Sequence, residues 1–246
     1  YRGAFRSFTA PVLAIALALA ASVATAATVY DVEDDFSASN PSGPWTFGIY
    51  ADLAGPVPDT TAFTPFNNYS PDFLGTPIDG WNFGPIDPNI SHNDSGAVYS
   101  NFGVTWGVNA VNVSPANGSE PYAGVRFTAP NTQVYILSSS FANVQDNIAK
   151  DVYVYKNNVQ VDTFSLGATP HNYNAVSFPL AAGDVVDFVV SGSNNVALDA
   201  RFQTEWHLAD DFSLDSNPNG PWGYGTASAN AGLPDTSTFA AFGTAE

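Results

Sequence analysis

The chain has no cysteine among its 246 residues. Disulfide bonds, thiolate catalysis and cysteine-ligated zinc sites are therefore excluded. Basic residues are also scarce, because 6 lysines and arginines stand against 23 acidic residues and give a net charge of −17. A surface this acidic repels phosphate backbones and anionic lipids, so nucleic acid is not expected as a partner.

Recognisable catalytic motifs are absent as well. The histidines, His92, His171 and His207, are far apart in sequence, and no G-x-S-x-G motif occurs. The chain has four glutamates, and no two of them are close enough in sequence to suggest a glycosidase pair. The sequence therefore predicts a protein that is not an enzyme, and a glycan-active enzyme using two aspartates stays open as an alternative.

The first 26 residues have the three-part pattern of a secretory signal peptide. Arg2 and Arg6 precede the apolar run Pro11–Ala21, and Ala24-Thr25-Ala26 supplies the small residues of a cleavage site before Ala27. The apolar run is shorter than the roughly 20 residues that span a bilayer. We expect a signal-peptide helix over 1–26, export to the medium or the cell surface, and no membrane insertion after cleavage.

One motif occurs twice. Asp34-Asp35-Phe36-Ser37 returns as Asp210-Asp211-Phe212-Ser213, and Trp45, which follows the first copy, returns as Trp222. Self-similar segments at a fixed spacing indicate tandem modules. The sequence thus predicts one module over 27–209 and the start of a second over 210–246, which is too short to bury a core of its own.

Short alternating apolar segments separated by Gly, Pro and Asn dominate the rest of the chain, and no sustained helical period follows the leader. Strands are predicted at 34–37 and 45–49, and Asn157-Asn158 predicts a tight hairpin because asparagine tolerates left-handed backbone. Many short strands of this kind predict an all-β fold, an antiparallel β-sandwich of jelly-roll type.

Two segments carry a family resemblance. They are LAAGDVVDFVV at Leu180–Val190 and the opening sequence Asp35-Phe36-Ser37 followed by NPSGPW at Asn40–Trp45. The chain resembles bacterial secreted jelly-roll modules of the galactose-binding-like, carbohydrate-binding type, as found in exported proteins of the PEP-CTERM sorting class. The resemblance implies a β-sandwich with a non-catalytic glycan-binding or surface role, without fixing a ligand.

Four aromatic residues are candidates for sugar stacking: Trp81, Trp106, Tyr99 and Trp45. The apolar C–H face of a pyranose can pack against an aromatic plane, and the tryptophans at 81 and 106 lie in polar, glycine-flanked surroundings. Core packing is the alternative, above all for Trp45, because it belongs to the motif that opens both copies.

Calcium is the expected cofactor, since it prefers carboxylate and carbonyl oxygens. The resemblance implies a structural Ca²⁺ between the first and last strands, which here recruits Asp34 or Asp35 together with Asp199. The alternative is a set of solvated acids at strand ends. A second segment, Asp87–Asn93, spaces oxygen-bearing side chains like a calcium loop but lacks its required Gly and Glu.

The sequence leaves three hypotheses for the function of the chain. The first is an exported, non-catalytic module that binds extracellular polysaccharide or cell-surface glycan. The second is a structural surface or biofilm-matrix protein whose repeats act as spacers without a small ligand. The third is the glycan-active enzyme.

Overall fold

The computed structural model describes residues 28–204 except 54–56, 85, 117–121, 146–149 and 193–194, together with four two-residue strands nearer the C-terminus. Residues of the compact unit Ala27–Asp210 are described together with short strands of a second unit. The predicted signal-peptide helix, 1–26, lies outside the described residues. So does most of the predicted second module, 210–246.

The strands of the large unit are β1 (Val29–Asp31), β2 (Trp45–Leu53), β3 (Val57–Pro65), β4 (Asn68–Ser70), β5 (Asp79–Asn82), β6 (Asn89–His92), β7 (Tyr99–Asn101), β8 (Val104–Trp106), β9 (Val111–Ser114), β10 (Tyr122–Thr128), β11 (Gln133–Asn143), β12 (Lys150–Lys156), β13 (Val159–Leu166), β14 (His171–Leu180), β15 (Val185–Val190) and β16 (Val196–Thr204). A single 3₁₀ turn, η1 (Phe73–Gly75), lies between β4 and β5. The second unit contains β17 (Gly225–Thr226), β18 (Ala229–Asn230), β19 (Leu233–Pro234) and β20 (Ala240–Ala241), paired as β17 with β20 and β18 with β19.

Two antiparallel sheets form the sandwich. The first has the order β14-β11-β16-β9-β6-β5-β4, with β1 added beside β16, and the second has the order β13-β12-β15-β10-β2-β3. The predicted antiparallel β-sandwich is thereby confirmed. The β7–β8 hairpin stands apart as a third, two-stranded sheet.

The core lies between the sheets because strand residues alternate between the two faces. Trp45 and Phe47 of β2, Phe127 of β10 and Phe202 of β16 are all fully buried. The rings of Phe127 and Phe202 stack across the sandwich with centroids 4.2 Å apart. Burying one such side chain contributes about 1.5–3 kcal/mol, so this aromatic layer is a main source of stability in a chain without disulfides.

Local predictions had mixed outcomes. The hairpin between β12 and β13 is confirmed, with φ of 50° at Asn157 and 65° at Asn158. The strand predicted at 34–37 is wrong, because β1 ends at Asp31 and a turn follows. The turn is closed by a 2.8 Å hydrogen bond from the Asp35 amide to the Asp31 carbonyl, and the Asp31 side chain accepts from the Glu33 amide at 3.0 Å.

The opening motif joins two neighbouring backbone segments through hydrogen bonds. The Asn40 side chain donates to the carbonyls of Phe47 and Phe66 at 2.7 and 2.9 Å and accepts from the Phe47 amide at 2.9 Å. The Asn40 side chain thus bonds to the backbone of both segments, and it holds the start of β2 to the segment after β3.

The outer face of the first sheet is covered at one end. The β7–β8 hairpin packs there through Val104 and Trp106, which form a small cluster with Ile78, and η1 places Phe73 over Gly80 of β5. This cover positions the site described next. In the part of the chain that the structure describes, no helix is long and apolar enough to cross a membrane.

Candidate functional site

A cleft of about 280 Å³ opens between the outer face of the first sheet and its cover. It is lined by Phe73, Leu74, Ile86, Asp87, Asn89, Phe102, Val104, Trp106, Ser114, Gln145 and Asn195. These residues come from η1, the β5–β6 loop, the β7–β8 hairpin, the ends of β6 and β9, and two loops at the same end of the sandwich. We refer to this site as the cleft.

The floor of the cleft is polar because of strand alternation. On β6 and β9, Ile90 and Val113 belong to the sandwich core. Their neighbours Asn89 and Ser114 are 5% and 3% exposed and line the cleft on the opposite face. A buried polar floor requires internal hydrogen bonds, and Asp87 provides them.

Asp87 organises the floor. Its Oδ1 accepts from Ser114 Oγ at 2.9 Å and from Asn89 Nδ2 at 2.7 Å, and the same Nδ2 donates to the Ile86 carbonyl at 3.1 Å. Burial raises the pKa of the Asp87 carboxyl, and the bonds from Ser114 and Asn89 oppose that rise. The Asn89 Oδ1 is buried and has no hydrogen-bond partner in the protein, so its acceptor capacity is unused.

The rim is apolar and exposed. Phe102 is 64% exposed, Ile86 47% and Leu74 40%. Phe102 and Leu74 both have left-handed backbone, with φ of 51° and 56°, which is uncommon for large side chains and costs of order 1–3 kcal/mol at each position. Two strained residues that hold apolar side chains at the mouth of one cleft are typical of a binding site.

The hairpin that carries Phe102 is anchored by its tryptophan. Trp106 donates from Nε1 to Ser91 Oγ at 3.0 Å, and its ring lies 6.0 Å from the ring of Tyr99 on the paired strand. The Trp106 side chain is only 5% exposed. It therefore fixes the position of Phe102 and offers little surface of its own.

The tryptophans expected to stack on sugar are buried. Trp45 is fully buried and donates to Asp35 Oδ2 at 3.2 Å. Trp81 is 6% exposed and donates to the Ser37 carbonyl at 3.0 Å. Trp45 and Trp81 therefore pack as the core alternative describes, whereas Trp106 is 5% exposed and lines the cleft.

Tyr99 is partly exposed but is not among the residues that line the cleft. Sequence reasoning missed Phe102, Asp87 and Asn89 as residues of the cleft. Phe102 carried a signal, because a large apolar side chain in Asn101-Phe102-Gly103 occupies the turn of a short hairpin, where polar residues are usual. Asp87 and Asn89 lie in the segment that resembles a calcium loop, so the sequence showed their polar character but not their place in the cleft.

A second polar site lies where β1 meets β16. Asp31, Glu33 and Asp199 each place one carboxylate oxygen within 4.8 Å of the other two. A groove of about 340 Å³ beside them is lined further by Ser138, Ser139, Ser140, Asn172, Tyr173, Asn174 and Arg201. We refer to the three carboxylates as the acidic cluster.

The acidic cluster differs from the predicted ligand set. Asp199 meets Asp31 and Glu33, whereas Asp34 and Asp35 are not members of the group. The physical reason is the turn after β1, which directs Asp35 Oδ2 to the indole of Trp45 and the amide of Asp31. A carboxylate that accepts from both groups is committed to the fold.

Burial and mutual repulsion raise the pKa of two members of the acidic cluster, Glu33 and Asp199. Burial, followed by the negative charges of Asp199, Asp31 and Asp34, raises the pKa of Glu33 to about 8. Burial and the charge of Asp31 raise the pKa of Asp199, against the opposing effect of Arg201. Carboxylate oxygens at this separation fit a hard divalent cation such as Ca²⁺, which would relieve the repulsion.

No family model matches the chain, and no curated protein sequence matches it. Similar solved structures include the CBM36-1 domain of a multidomain xylanase from the hindgut metagenome of Trinervitermes trinervoides, at 15% identity and a TM-score of 0.30, covering 48% of this chain and 97% of that one. A CBM51 from Clostridium perfringens GH95 in complex with methyl-galactose has 12% identity and a TM-score of 0.35, covering 71% and 99%.

A family 29 carbohydrate-binding module has 16% identity and a TM-score of 0.30, covering 69% of this chain and 94% of the module. These neighbours are carbohydrate-binding modules.

Proposed function

We propose that the chain is an exported, non-catalytic module that binds extracellular glycan in the cleft. The observation that carries this proposal is the exposed ring of Phe102 at the mouth of a cleft whose floor holds the unpartnered Asn89 Oδ1. The leader pattern at 1–26 and the net charge of −17 support export to an aqueous medium.

A sugar ring matches both halves of the cleft. Its axial C–H groups form an apolar face that packs on an aromatic ring, and its hydroxyls donate to buried acceptors. Phe102, Leu74 and Ile86 supply the apolar contact, and Asn89 supplies the acceptor. Ligand sites in general combine apolar walls with a few placed polar groups in this way.

Binding is favoured over hydrolysis by the carboxylates at the site. Glycosidases use two carboxyl groups about 5–10 Å apart. Among the described residues that line the cleft, Asp87 is the one carboxylate, and it accepts hydrogen bonds from Ser114 and Asn89. A group held in this way is suited to shaping a floor and is poorly placed to work as half of a catalytic pair.

Affinity electrophoresis of the full chain against a panel of neutral and charged polysaccharides tests the proposal. Retardation by at least one polysaccharide is expected, with a circular dichroism spectrum that shows an intact β fold. A folded chain that no polysaccharide retards would refute glycan binding and favour the structural spacer.

A second property, cation binding, is supported by the acidic cluster. We propose that Asp31, Glu33 and Asp199 bind Ca²⁺ and thereby hold the first strand of the unit against the last. Its role would be stability, because these residues belong to β1, the turn after it and β16, while the cleft is formed by other elements.

A further inference from the structure

The floor of the cleft offers a bound molecule more hydrogen-bond acceptors than donors. Asn89 Nδ2 and Ser114 Oγ both donate to Asp87, as described above. Trp106 Nε1 donates to Ser91, and Asn195 Nδ2 donates to Gln145 Oε1 at 2.9 Å. These donors are committed to protein acceptors and are not free for a ligand.

Acceptors remain. Asn89 Oδ1 has no partner, and the hydrogen bonds described for Asp87 engage Oδ1, so the carboxylate retains acceptor capacity at Oδ2. A bound molecule that contacts Asp87 and Asn89 must therefore donate hydrogen bonds to them. Sugar hydroxyls do so, whereas a carboxylate, sulfate or phosphate group can only accept.

The charge of the cleft also disfavours anionic ligands. The residues that line the cleft include no lysine or arginine in the described part of the chain, and Asp87 contributes a negative charge from a partly buried position. An anionic group next to it would meet repulsion strengthened by the lowered local dielectric. It would also find no cation to pair with.

We infer that the cleft selects glycans whose sugars carry hydroxyl donors and no anionic group, with Asp87 and Asn89 as the specificity-determining residues. This selectivity rests on the proposed function, because it concerns the same site. The negative charge of Asp87 repels anionic sugars, and the buried Oδ1 of Asn89 accepts a hydrogen bond from a sugar that can donate one. Rejection by an unpaired like charge is an effective way to discriminate between ligands of the same shape.

The test uses matched pairs of polymers, each a neutral polysaccharide and the same polysaccharide oxidised to the carboxylate at C6. Titration calorimetry at low salt should show binding of the neutral member at least about tenfold tighter than its oxidised partner. Asp87→Asn should narrow that ratio because it removes the negative charge that repels the carboxylate. It should also weaken binding of the neutral polymer, since an N–H donor replaces the acceptor at Oδ2.

Salt dependence of the unmodified chain provides a check that needs no variant. Raising ionic strength to about 1 M shortens the screening length to about 3 Å and should also narrow the ratio. Equal or tighter binding of the oxidised polymer, or a ratio unaffected by both Asp87→Asn and salt, would overturn the inference and leave glycan binding intact. Failure to bind any polymer would overturn both.

Discussion

Trp106 donates a 3.0 Å hydrogen bond to Ser91, and this contact ties the β7–β8 hairpin to the sheet beneath it. Ser91 is fully buried. The variant Trp106→Phe should therefore leave the Ser91 hydroxyl without this partner and destabilise the unit by about 1–3 kcal/mol. Urea denaturation measures this loss.

The same variant should weaken glycan binding, because Phe102 lies on the hairpin that Trp106 anchors. Val108→Ala is the control, since Val108 is half exposed and lies outside the cleft. Unchanged stability of Trp106→Phe would show that the indole hydrogen bond does not hold the hairpin.

Calcium should raise the melting temperature of the unit and chelator should lower it. Binding to the folded state alone contributes about 2.7 kcal/mol at a hundredfold excess over Kd. Mg²⁺ should substitute poorly because it demands tight octahedral geometry. Differential scanning calorimetry with each ion gives the comparison.

Asp199→Asn should remove most of the calcium response, whereas Asp72→Asn should retain it, because Asp72 is exposed and outside the acidic cluster. An equal rise on adding monovalent salt at matched ionic strength would reduce the effect to screening of an acidic surface. The cation site would then be withdrawn.

Stability in chelator should fall as pH rises through the neutral range. The pKa of Glu33 is raised from 4.5 to about 8 in the folded state, so folding favours the protonated form. The resulting stabilisation is fully present below the ordinary pKa and is lost as pH approaches 8. Asp199 acts in the same direction, because its pKa is also raised.

Glu33→Gln should flatten this dependence, because glutamine stays neutral at every pH. Asp59 and Asp184 do not confuse the measurement, since hydrogen bonds lower the pKa of both and they titrate at more acidic pH. Thermal denaturation between pH 5 and 9 gives the slope. An unchanged slope in Glu33→Gln would assign the pH dependence to other groups.

A buried ion pair stabilises the second sheet. Arg126 Nε and Nη2 donate to the two oxygens of fully buried Asp187 at 2.6 and 3.3 Å, and the guanidinium lies 4.3 Å from the ring of Phe63. Arg126→Met should cost about 3–5 kcal/mol, because it leaves Asp187 charged and poorly paired. Chemical denaturation measures the loss.

Replacing both partners separates this explanation from lost packing. The double variant Arg126→Met with Asp187→Leu should recover much of the stability, since no unpaired charge remains. A double variant less stable than Arg126→Met alone would contradict the assignment.

Local sequence patterns predicted the class of the fold and its turns. Asn157 and Asn158 have left-handed backbone as expected, because asparagine tolerates this conformation through local chemistry alone. Exposure of tryptophan was not predictable in that way. Whether Trp81 faces the core depends on the register of β5 with β4 and β6, which is fixed by residues far apart in sequence.

The candidate sites were also only partly predictable from local sequence patterns. The family resemblance implied Asp199 as a calcium ligand, but the carboxylates that lie near it depend on the direction of the turn after Asp31. Phe102 and Asn89 come together only because the β7–β8 hairpin folds back over the first sheet. No local pattern specifies that contact.

The most direct measurement compares Phe102→Ala with Phe83→Ala in titration calorimetry against the polysaccharide that binds the unmodified chain most tightly. Both rings are exposed, at 64% and 54%, but only Phe102 lines the cleft. Loss of stacking should weaken binding of Phe102→Ala by about tenfold or more, while Phe83→Ala keeps the affinity of the unmodified chain. Equal affinities in the two variants would contradict the placement of glycan in the cleft.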